Sequence, residues 1–481
     1  MTSEPPGLPQ ETFLREYGDA VAEGTAAVFV GAGMSRAAGY VDWAELLSEF
    51  ALELGLDLDI ETDLVSVAQY HLNENANNRN RLAQKIVDEF HDSKEPTESL
   101  LTLAKLPIDK WWTTNYDDVV ERSIKHVGKK AYKVATAANV TVRPRGTDVL
   151  VNKMHGDVDD LDKVVITRDD YEDYVANFPG FRERIFADLS ERTFVFLGYS
   201  FTDPHFDFIL SELRRSYGRN AKTHYAIMRR VALVNEDGKR EKSEYNARRQ
   251  LLRVKDLERY GIKTVLVDGH EEIPELLRRL RQRYLRRHVF VSGAVAEADD
   301  ADGKIAALSQ ALGRALMKSS YNLVNGLGLG VGGNVVFGAL DTLYREKSTR
   351  IEHRLQLWPF PQVVPEAERK AFNAKHREKM LETVGFTVVI AGSKVRGDEL
   401  VRSNGIDEEV ALSGEANSFV IPIGRTGHIA AELWAAYSAD LVGAYGAEVD
   451  AGAWARLNDE TASDDEIVAA VIKIMDQLRP Q

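Results

Sequence analysis

The chain has no cysteine among its 481 residues. That excludes disulfides, thiolate zinc sites and a cysteine nucleophile together. Positive charge is in deficit: 61 Lys and Arg stand against 75 Asp and Glu, a formal net charge of −14. This balance argues against a general binder of nucleic acid or of anionic membranes. No apolar run reaches the roughly 18–20 residues that a spanning helix needs. The opening MTSEPPGLPQETF is polar and Pro-rich, without the basic and apolar regions of a signal peptide. The expectation is a cytoplasmic protein that meets neither membrane nor nucleic acid. HExxH, Walker-loop and Gly-x-Ser-x-Gly patterns are also missing, which removes the commonest metalloprotease, nucleotide-triphosphatase and hydrolase signatures.

What is present is an ordinary globular composition, 44% hydrophobic and 28% charged, with length for two or three domains. The organising stretch is Ala26–Tyr40, AAVFVGAGMSRAAGY. It reads as a buried strand, Ala26–Val30, entering a glycine turn and then a helix near Ser35. Gly31 and Gly33 allow a close backbone approach to a pyrophosphate, where a Cβ would stand in the way. Ser35 can cap the helix or bond a phosphate oxygen. Arg36 occupies the third glycine position, so the dinucleotide fingerprint is incomplete; a purely structural turn is the alternative. Asp42, with Glu45 three residues on, matches a capping box. Residues 60–105 are helical in pattern, broken near Asn73–Asn80.

The motif of an apolar run ending in polar residues recurs at Trp111–Asp118, Val149–Asp157, Phe194–Pro204 and Thr264–Asp268. Five such runs separated by helical segments predict a doubly wound parallel sheet. Its strand ends would gather Gly31, Gly33, Asn115, His155 and Ser200 around one crevice. His155 can serve as base or acid over a glycosidic or ester bond, or can simply bond the sheet edge. Asn115 can hold a ribose hydroxyl or orient a water, or can be a turn residue. Asp157, Asp159, Asp160 and Asp162 lack the glycine and final Glu of a calcium loop and read as a solvated face. Asp203 reads as a helix cap, with His205 and Asp207 structural.

Residues 275–287 carry six arginines on a helical pattern, a solvated or salt-bridged connecting helix that ends the first domain. A second α/β unit opens at His288–Gly293, strand into Ser292-Gly293. A helix over Asp302–Ser319 leads to Tyr321–Gly333, where five glycines fall within eight residues, a possible anion nest that includes Gly328 and Gly330. Strand-to-turn patterns return at Phe386–Lys394 and Phe419–Thr426, followed by a helix over Gly427–Ala436. The expected fold is α/β: two Rossmann-like, doubly wound parallel-sheet domains, at 1–286 and 287–481.

Gly31-Ala32-Gly33-Met34-Ser35, Thr114-Asn115-Tyr116-Asp117, His155-Gly156 and Gly198-Tyr199-Ser200, taken in order, resemble the NAD-binding core of the sirtuin family over about residues 15–285. The resemblance implies an NAD+ pocket with His155 as base and Asn115 handling the nicotinamide ribose or water. Gly31, Ala32, Gly33, Ser35, Asp117, Gly198, Ser200 and Asp268 would contact the dinucleotide. The four-cysteine zinc module of sirtuin deacylases is absent, and Tyr40-Val41-Asp42-Trp43 replaces their Pro-Asp-Phe-Arg. Cleavage of NAD+ itself is then the simpler chemistry, with no metal; an NAD-dependent deacylase and a non-catalytic nucleotide module are the alternatives.

Ser292-Gly293, Asn325–Gly333, Ala391–Lys394 and Pro422–Glu432 resemble the SLOG family of nucleotide sensors. Where the related hydrolases carry Pro-Gly-Gly-x-Gly-Thr, this chain has Pro422-Ile423-Gly424-Arg425-Thr426-Gly427, which favours a sensor over a hydrolase. A sirtuin-like domain joined to a SLOG domain resembles the NAD-consuming effectors of the Thoeris anti-phage system. That resemblance implies a TIR-domain partner making a cyclic ADP-ribose isomer. The isomer would be bound by Arg377, Lys394 and Glu409 with Ser292, Gly293, Gly328 and Gly330. It also implies a homo-tetramer.

Overall fold

Apolar runs rich in Val, Phe and Ile become strands buried on both faces, the usual state of parallel sheets covered by helices. A computed structural model describes residues 7–233, 240–328, 330–347, 351–361, 365–396 and 399–479. Contacts divide the chain into Met1–Arg281 and Gln282–Gln481, with the division inside the helix Glu272–Leu285.

The first unit has seven strands: β1 (Ala26–Val30), β2 (Lys110–Thr113), β3 (Ala131–Val134), β4 (Val149–Lys153), β5 (Thr193–Leu197), β6 (His224–Arg229) and β7 (Ile262–Val267). They form one parallel sheet in the order β3-β4-β2-β1-β5-β6-β7. The order reverses at β1, which puts a crevice at its C-terminal end. Register aligns Val30 with Thr113 on one side and Leu197 on the other, and Thr113 with Lys153. The segments after these four strands therefore emerge at one level.

Two strands, β3 and β6, go beyond the five expected. β3 is a four-residue edge strand, AYKV, buried only at Val134, and an edge carries too little apolar sequence to signal itself. In β6, HYAIMR, the four-residue buried run His224–Ile227 begins on a polar residue and the strand closes on Arg229, which hides it. The first helix after β1 is Ala32–Ala37, with extended Gly31 at its N-cap. It begins three residues before Ser35, so Ser35 is an interior, buried residue and not a cap. The capping box at Asp42 and Glu45 and the cap at Asp203 form as expected. Helices Leu64–Glu74 and Asn80–Phe90 flank the polar break. The arginine-rich helix buries Leu276, Leu277 and Leu280 and is salt-bridged, Arg278 to Glu98 at 2.9 Å and Arg279 to Glu11.

The second unit holds β8 (His288–Ala294), β9 (Asn322–Asn325), β10 (Leu355–Leu357), β11 (Phe386–Ala391), β12 (Ser393–Arg396), β13 (Glu399–Arg402) and β14 (Phe419–Ile423). Five of them form a parallel sheet, β10-β9-β8-β11-β14. β12 and β13 form a separate antiparallel hairpin. The run Phe386–Lys394 is thus broken: Ala391 at φ 54° and Gly392 at φ 133° end β11, and Lys394 belongs to the hairpin. Of the glycine-rich stretch, Gly332 and Gly333 lie inside the helix Val331–Arg345, which shortens the loop; Leu329 lies outside the described residues. The other two helices form as Lys304–Lys318 and His428–Ser438. Helices Lys304–Lys318 and Val331–Arg345 approach closely because a Cβ on Gly313 or Gly338 would overlap the facing backbone. Among the described residues no helix is long and apolar enough to cross a membrane.

Candidate active site

At the strand ends of the first unit lies a cavity of about 810 Å3. Ala32, Gly33, Ser35, Asn115, Asp117, His155, Gly198 and Ser200 all line it, with Trp43, Tyr171 and Asp203. Gly31 is beneath the lining and Asp268 is outside it, in an adjoining cavity. The glycines have a structural purpose within the sheet. A Cβ on Gly31 would lie 2.6 Å from Tyr199 Cα, and one on Gly33 would lie 2.9 Å from Gly198 Cα. Gly198 itself has φ 64°. A close approach that demands glycine is present between the ends of β1 and β5.

Asn115 follows β2, and its backbone N–H donates to Thr113 Oγ1 at 3.0 Å. Its side-chain amide donates to Gly31 O at 3.1 Å and to Ser35 Oγ at 2.7 Å. A carbonyl can only accept, so the Gly31 contact sets which way the amide faces. Asn115 Oδ1 is left buried and without a partner among the described residues. An acceptor held out of water with nothing to accept is costly, and it is suited to an incoming O–H.

His155 lies just beyond β4. Its carbonyl accepts the Val165 N–H at 3.0 Å, and Gly156 at φ 83° turns the chain back. The ring is 3% exposed, with Nε2 2.9 Å from Asp203 Oδ2, off the N–H direction. Tyr171 meets the ring edge-on, centroids 5.6 Å apart. Asp203 divides its carboxylate. Oδ1 caps the helix Pro204–Tyr217 through the Phe206 N–H at 2.9 Å, and Oδ2 accepts Tyr171 O–H at 2.9 Å. Burial pushes its carboxyl up, but His155, the Phe206 amide and the Tyr171 hydroxyl together hold it at about 2. His205 is structural, its Nε2 2.7 Å from Tyr171 O.

Beneath the Asn115 loop is a buried cluster of charge. Lys153 is fully buried. Its Nζ donates to Tyr116 O at 3.0 Å and Asp117 O at 2.5 Å, and stands 2.5 Å from Asp157 Oδ2 and 3.7 Å from Glu121. Lys133 adds bonds to Asp157 at 2.8 Å and Asp159 at 2.7 Å. The acid run is therefore no solvated face at its first member: Asp157 is 3% exposed and ion-paired on both oxygens. Burial raises the Asp117 and Glu121 carboxyls, opposed chiefly by Lys153.

In the second unit, Ser292 Oγ donates to Glu409 Oε2 at 2.6 Å. Arg377 donates to Glu409 at 3.3 Å and to Glu408 at 2.7 Å, with its guanidinium 5.0 Å from the Phe360 ring centroid. Burial raises the Glu409 carboxyl, opposed by Ser292 and Arg377. Gly293 and Gly328 are neighbours, a Cβ on Gly328 reaching Gly293 O at 3.1 Å, and Gly330 has φ 78° against Val295. Ser292, Arg377 and Glu409 are thus in one network. Lys394 is not: it is exposed on β12 and has no hydrogen bond or ion pair among the described residues.

Sequence reasoning missed Asp203 as a partner of His155 and Lys153 altogether. The Asp203-Pro204 pair at a helix start already had a sufficient local meaning. The available signal was its place in the same strand-end segment as Ser200.

Comparisons with known proteins follow this division of the chain. Residues 109–250 match the family described as SIR2-like domain, and residues 272–478 match the Sir2- and TIR-associating SLOG family. The chain is 36% identical over 471 residues to NAD(+) hydrolase ThsA of Bacillus cereus (strain MSX-D12), covering 97% of this chain and 98% of that protein. It is 37% identical to NAD(+) hydrolase ThsA of Acinetobacter baumannii (strain 532279), covering 95% and 96%. A 215-residue stretch is 26% identical to Defense-associated sirtuin 2 of Bacillus subtilis, covering 42% of this chain and 20% of that protein.

Proposed function

The chain belongs to the family of NAD(+) hydrolases named ThsA, and on that premise we propose that it cleaves NAD+ in the cavity walled by Asn115 and His155. In the reaction NAD+ and water give ADP-ribose, nicotinamide and one proton. The C1′–N bond breaks with its electron pair leaving on nicotinamide, which becomes neutral and needs no acid. The sugar passes through an oxocarbenium-like state, and the water oxygen bonds to C1′. The observation that carries this reading is the bare Asn115 Oδ1, held by the Gly31 and Ser35 bonds. It would accept a hydrogen from the attacking water or a ribose hydroxyl. His155 would take the proton. Asp203, 2.9 Å from the ring, would hold it in place and favour the imidazolium that forms as the proton is taken.

Ala32, Gly33, Asp117, Gly198 and Ser200 would lie along the dinucleotide, with Gly31 supporting Asn115 from beneath. The second unit would act as the sensor. Its polar network at Ser292, Arg377 and Glu409, beside Gly293, Gly328 and Gly330, would receive a cyclic ADP-ribose isomer made by a TIR-domain partner. Arg377 would meet the pyrophosphate and Glu409 the ribose hydroxyls. Lys394 would have to approach on its hairpin. The match to a TIR-associating SLOG family supports that partner class. The ligand must bind the active arrangement more tightly than the resting one to act as an activator. We place the enzyme in the cytoplasm as a homo-tetramer acting in anti-phage defence, its size to be read by sedimentation.

The test is NAD+ consumption by the purified chain with and without cyclic ADP-ribose isomers, alongside His155→Ala. Consumption that needs the isomer and disappears in His155→Ala is expected. A fully active His155→Ala would end the catalytic assignment, and consumption indifferent to the isomer would end the sensor assignment.

A further inference from the structure

Beside the cavity at Asn115 and His155 is another, of about 940 Å3. Four arginines stand on its walls: Arg229 and Arg230 at the end of β6, and Arg249 and Arg253 on the helix Arg240–Glu258. Among the described residues two carboxylates share the lining, Asp256 and Asp268. Arginine stays protonated at any working pH, so positive charge is in excess among the described residues of the lining. Arg230 pairs with Asp268 at 2.8 Å, and Arg253 stands 4.0 Å from Asp207. Arg229 and Arg249 have no carboxylate partner among the described residues. The walls therefore hold guanidinium groups ready for an anion.

Strand order says what would reach them. Asn115 follows β2 and His155 follows β4, on one side of β1; Arg229 and Arg230 end β6, on the other. From β2 to β6 is three strand spacings, roughly 14 Å. Ser200, Thr202 and Arg229 line both cavities. A dinucleotide with its nicotinamide ribose at Asn115 and His155 runs past the glycines of β1 and β5, and its adenosine end arrives among the arginines.

We propose that the arginine-walled cavity is a phosphate subsite on the adenosine ribose, so that the enzyme takes NADP+ as well as NAD+ and favours the phosphorylated dinucleotide. The proposal rests on the assignment of the neighbouring cavity to NAD+. A 2′-phosphate carries about −1.5 to −2 charge at pH 7, opposite in sign to the surplus, and guanidinium forks bind phosphate bidentately. In dinucleotide folds an acidic residue holds a free 2′-hydroxyl while an arginine accommodates a 2′-phosphate. The Asp268–Arg230 pair presents both groups. Hydrolysis is unchanged in kind: the C1′–N bond breaks toward nicotinamide, water oxygen bonds to C1′, one proton is released, and the 2′-phosphate stays on the product.

The test is calorimetric titration of the full chain with ADP-ribose and with 2′-phospho-ADP-ribose at low ionic strength. The phosphorylated compound is expected to bind about tenfold tighter. The preference should fall to about twofold or less when Arg249→Gln and Arg253→Gln are combined; both side chains stand outside the core, and circular dichroism checks the fold. Equal or weaker binding of the phosphorylated compound overturns the proposal, as does a preference that survives the double substitution. ADP-ribose binding without preference overturns this proposal alone. Failure of both compounds to bind overturns it together with the NAD+ assignment. Initial rates with NADP+ and NAD+ give a second readout, and an enzyme that consumes NAD+ while leaving NADP+ intact also refutes it.

Discussion

The two units place polar residues at the ends of parallel strands in opposite ways. In the first, Asn115 Oδ1 is buried and bare, and the compensating charge sits one layer below, around Lys153. In the second, Ser292, Arg377 and Glu409 satisfy one another. A group that must act on substrate is most effective when it is already held and unoccupied, because nothing reorganises at the moment of reaction. A self-satisfied network instead sets a threshold. A ligand must replace its internal bonds, and only a compound that reproduces them gains affinity. On the proposed reading, the contrast is that between a preorganised reaction centre and a selective receptor built on the same type of sheet.

Removing the bare acceptor or the base should have the largest effect. Asn115→Ala and His155→Ala are each expected to slow nicotinamide release by about 10²–10⁴-fold, with the circular dichroism spectrum retained. Activity within a factor of ten of the parent in either variant would remove the distinction between the units. Next is the charge layer. Lys153→Met leaves Asp117, Glu121 and Asp157 buried without their shared cation. It should lower stability by about 3–5 kcal/mol, read as a drop in the urea midpoint. A neutral result would show that the layer does not support the Asn115 loop.

Asp203 connects cap and ring, and Asp203→Asn should reduce turnover by about 10²-fold while keeping the helix cap, since Asn caps as well as Asp. The pH dependence has a definite sign. The folded carboxyl is held at about 2, below an unfolded value of about 3.9. Its contribution is therefore complete above about pH 4 and is lost as pH falls through about 2. In Asp203→Asn that part of the acid-unfolding profile should flatten; an unchanged profile would show that Asp203 is not the titrating group. The smallest effect belongs to the second unit. Ser292→Ala removes one donor from Glu409 and should destabilise by about 1 kcal/mol while weakening the response to a cyclic ADP-ribose isomer several-fold. An unaltered response would detach Ser292 from the receptor.

Much of the architecture was legible because its signals are local. A run such as Ala26–Val30 ending in glycine, or Phe419–Ile423 ending before Gly424, states both strand and strand end within ten residues. In the first unit the strands that escaped notice, β3 and β6, are those whose composition reflects an edge or polar ends; in the second, the three-residue β10 and the hairpin β12–β13 escaped as well. Gly31 and Gly33 were singled out as positions intolerant of a Cβ, and the neighbours that make them so within the fold, Gly198 and Tyr199, lie on another strand end that local sequence does not announce. The acid run misled for a similar reason, since nothing near Asp157 in sequence announces that Lys133 and Lys153 converge on it.

By itself, then, the sequence determined two α/β units with parallel sheets and the polar residues at their strand ends, because periodicity and turn chemistry are properties of neighbouring residues. Tertiary structure alone decided the pairings. His155 meets Asp203 across 48 positions of sequence, and Ser292 meets Glu409 across 117. It also decided that Lys153 is buried under the Asn115 loop and that four arginines surround one cavity. Burial and electrostatic pairing depend on which elements pack together. A residue whose local role is already accounted for, such as Asp203 as a cap, carries no second local mark of the partner that packing brings to it.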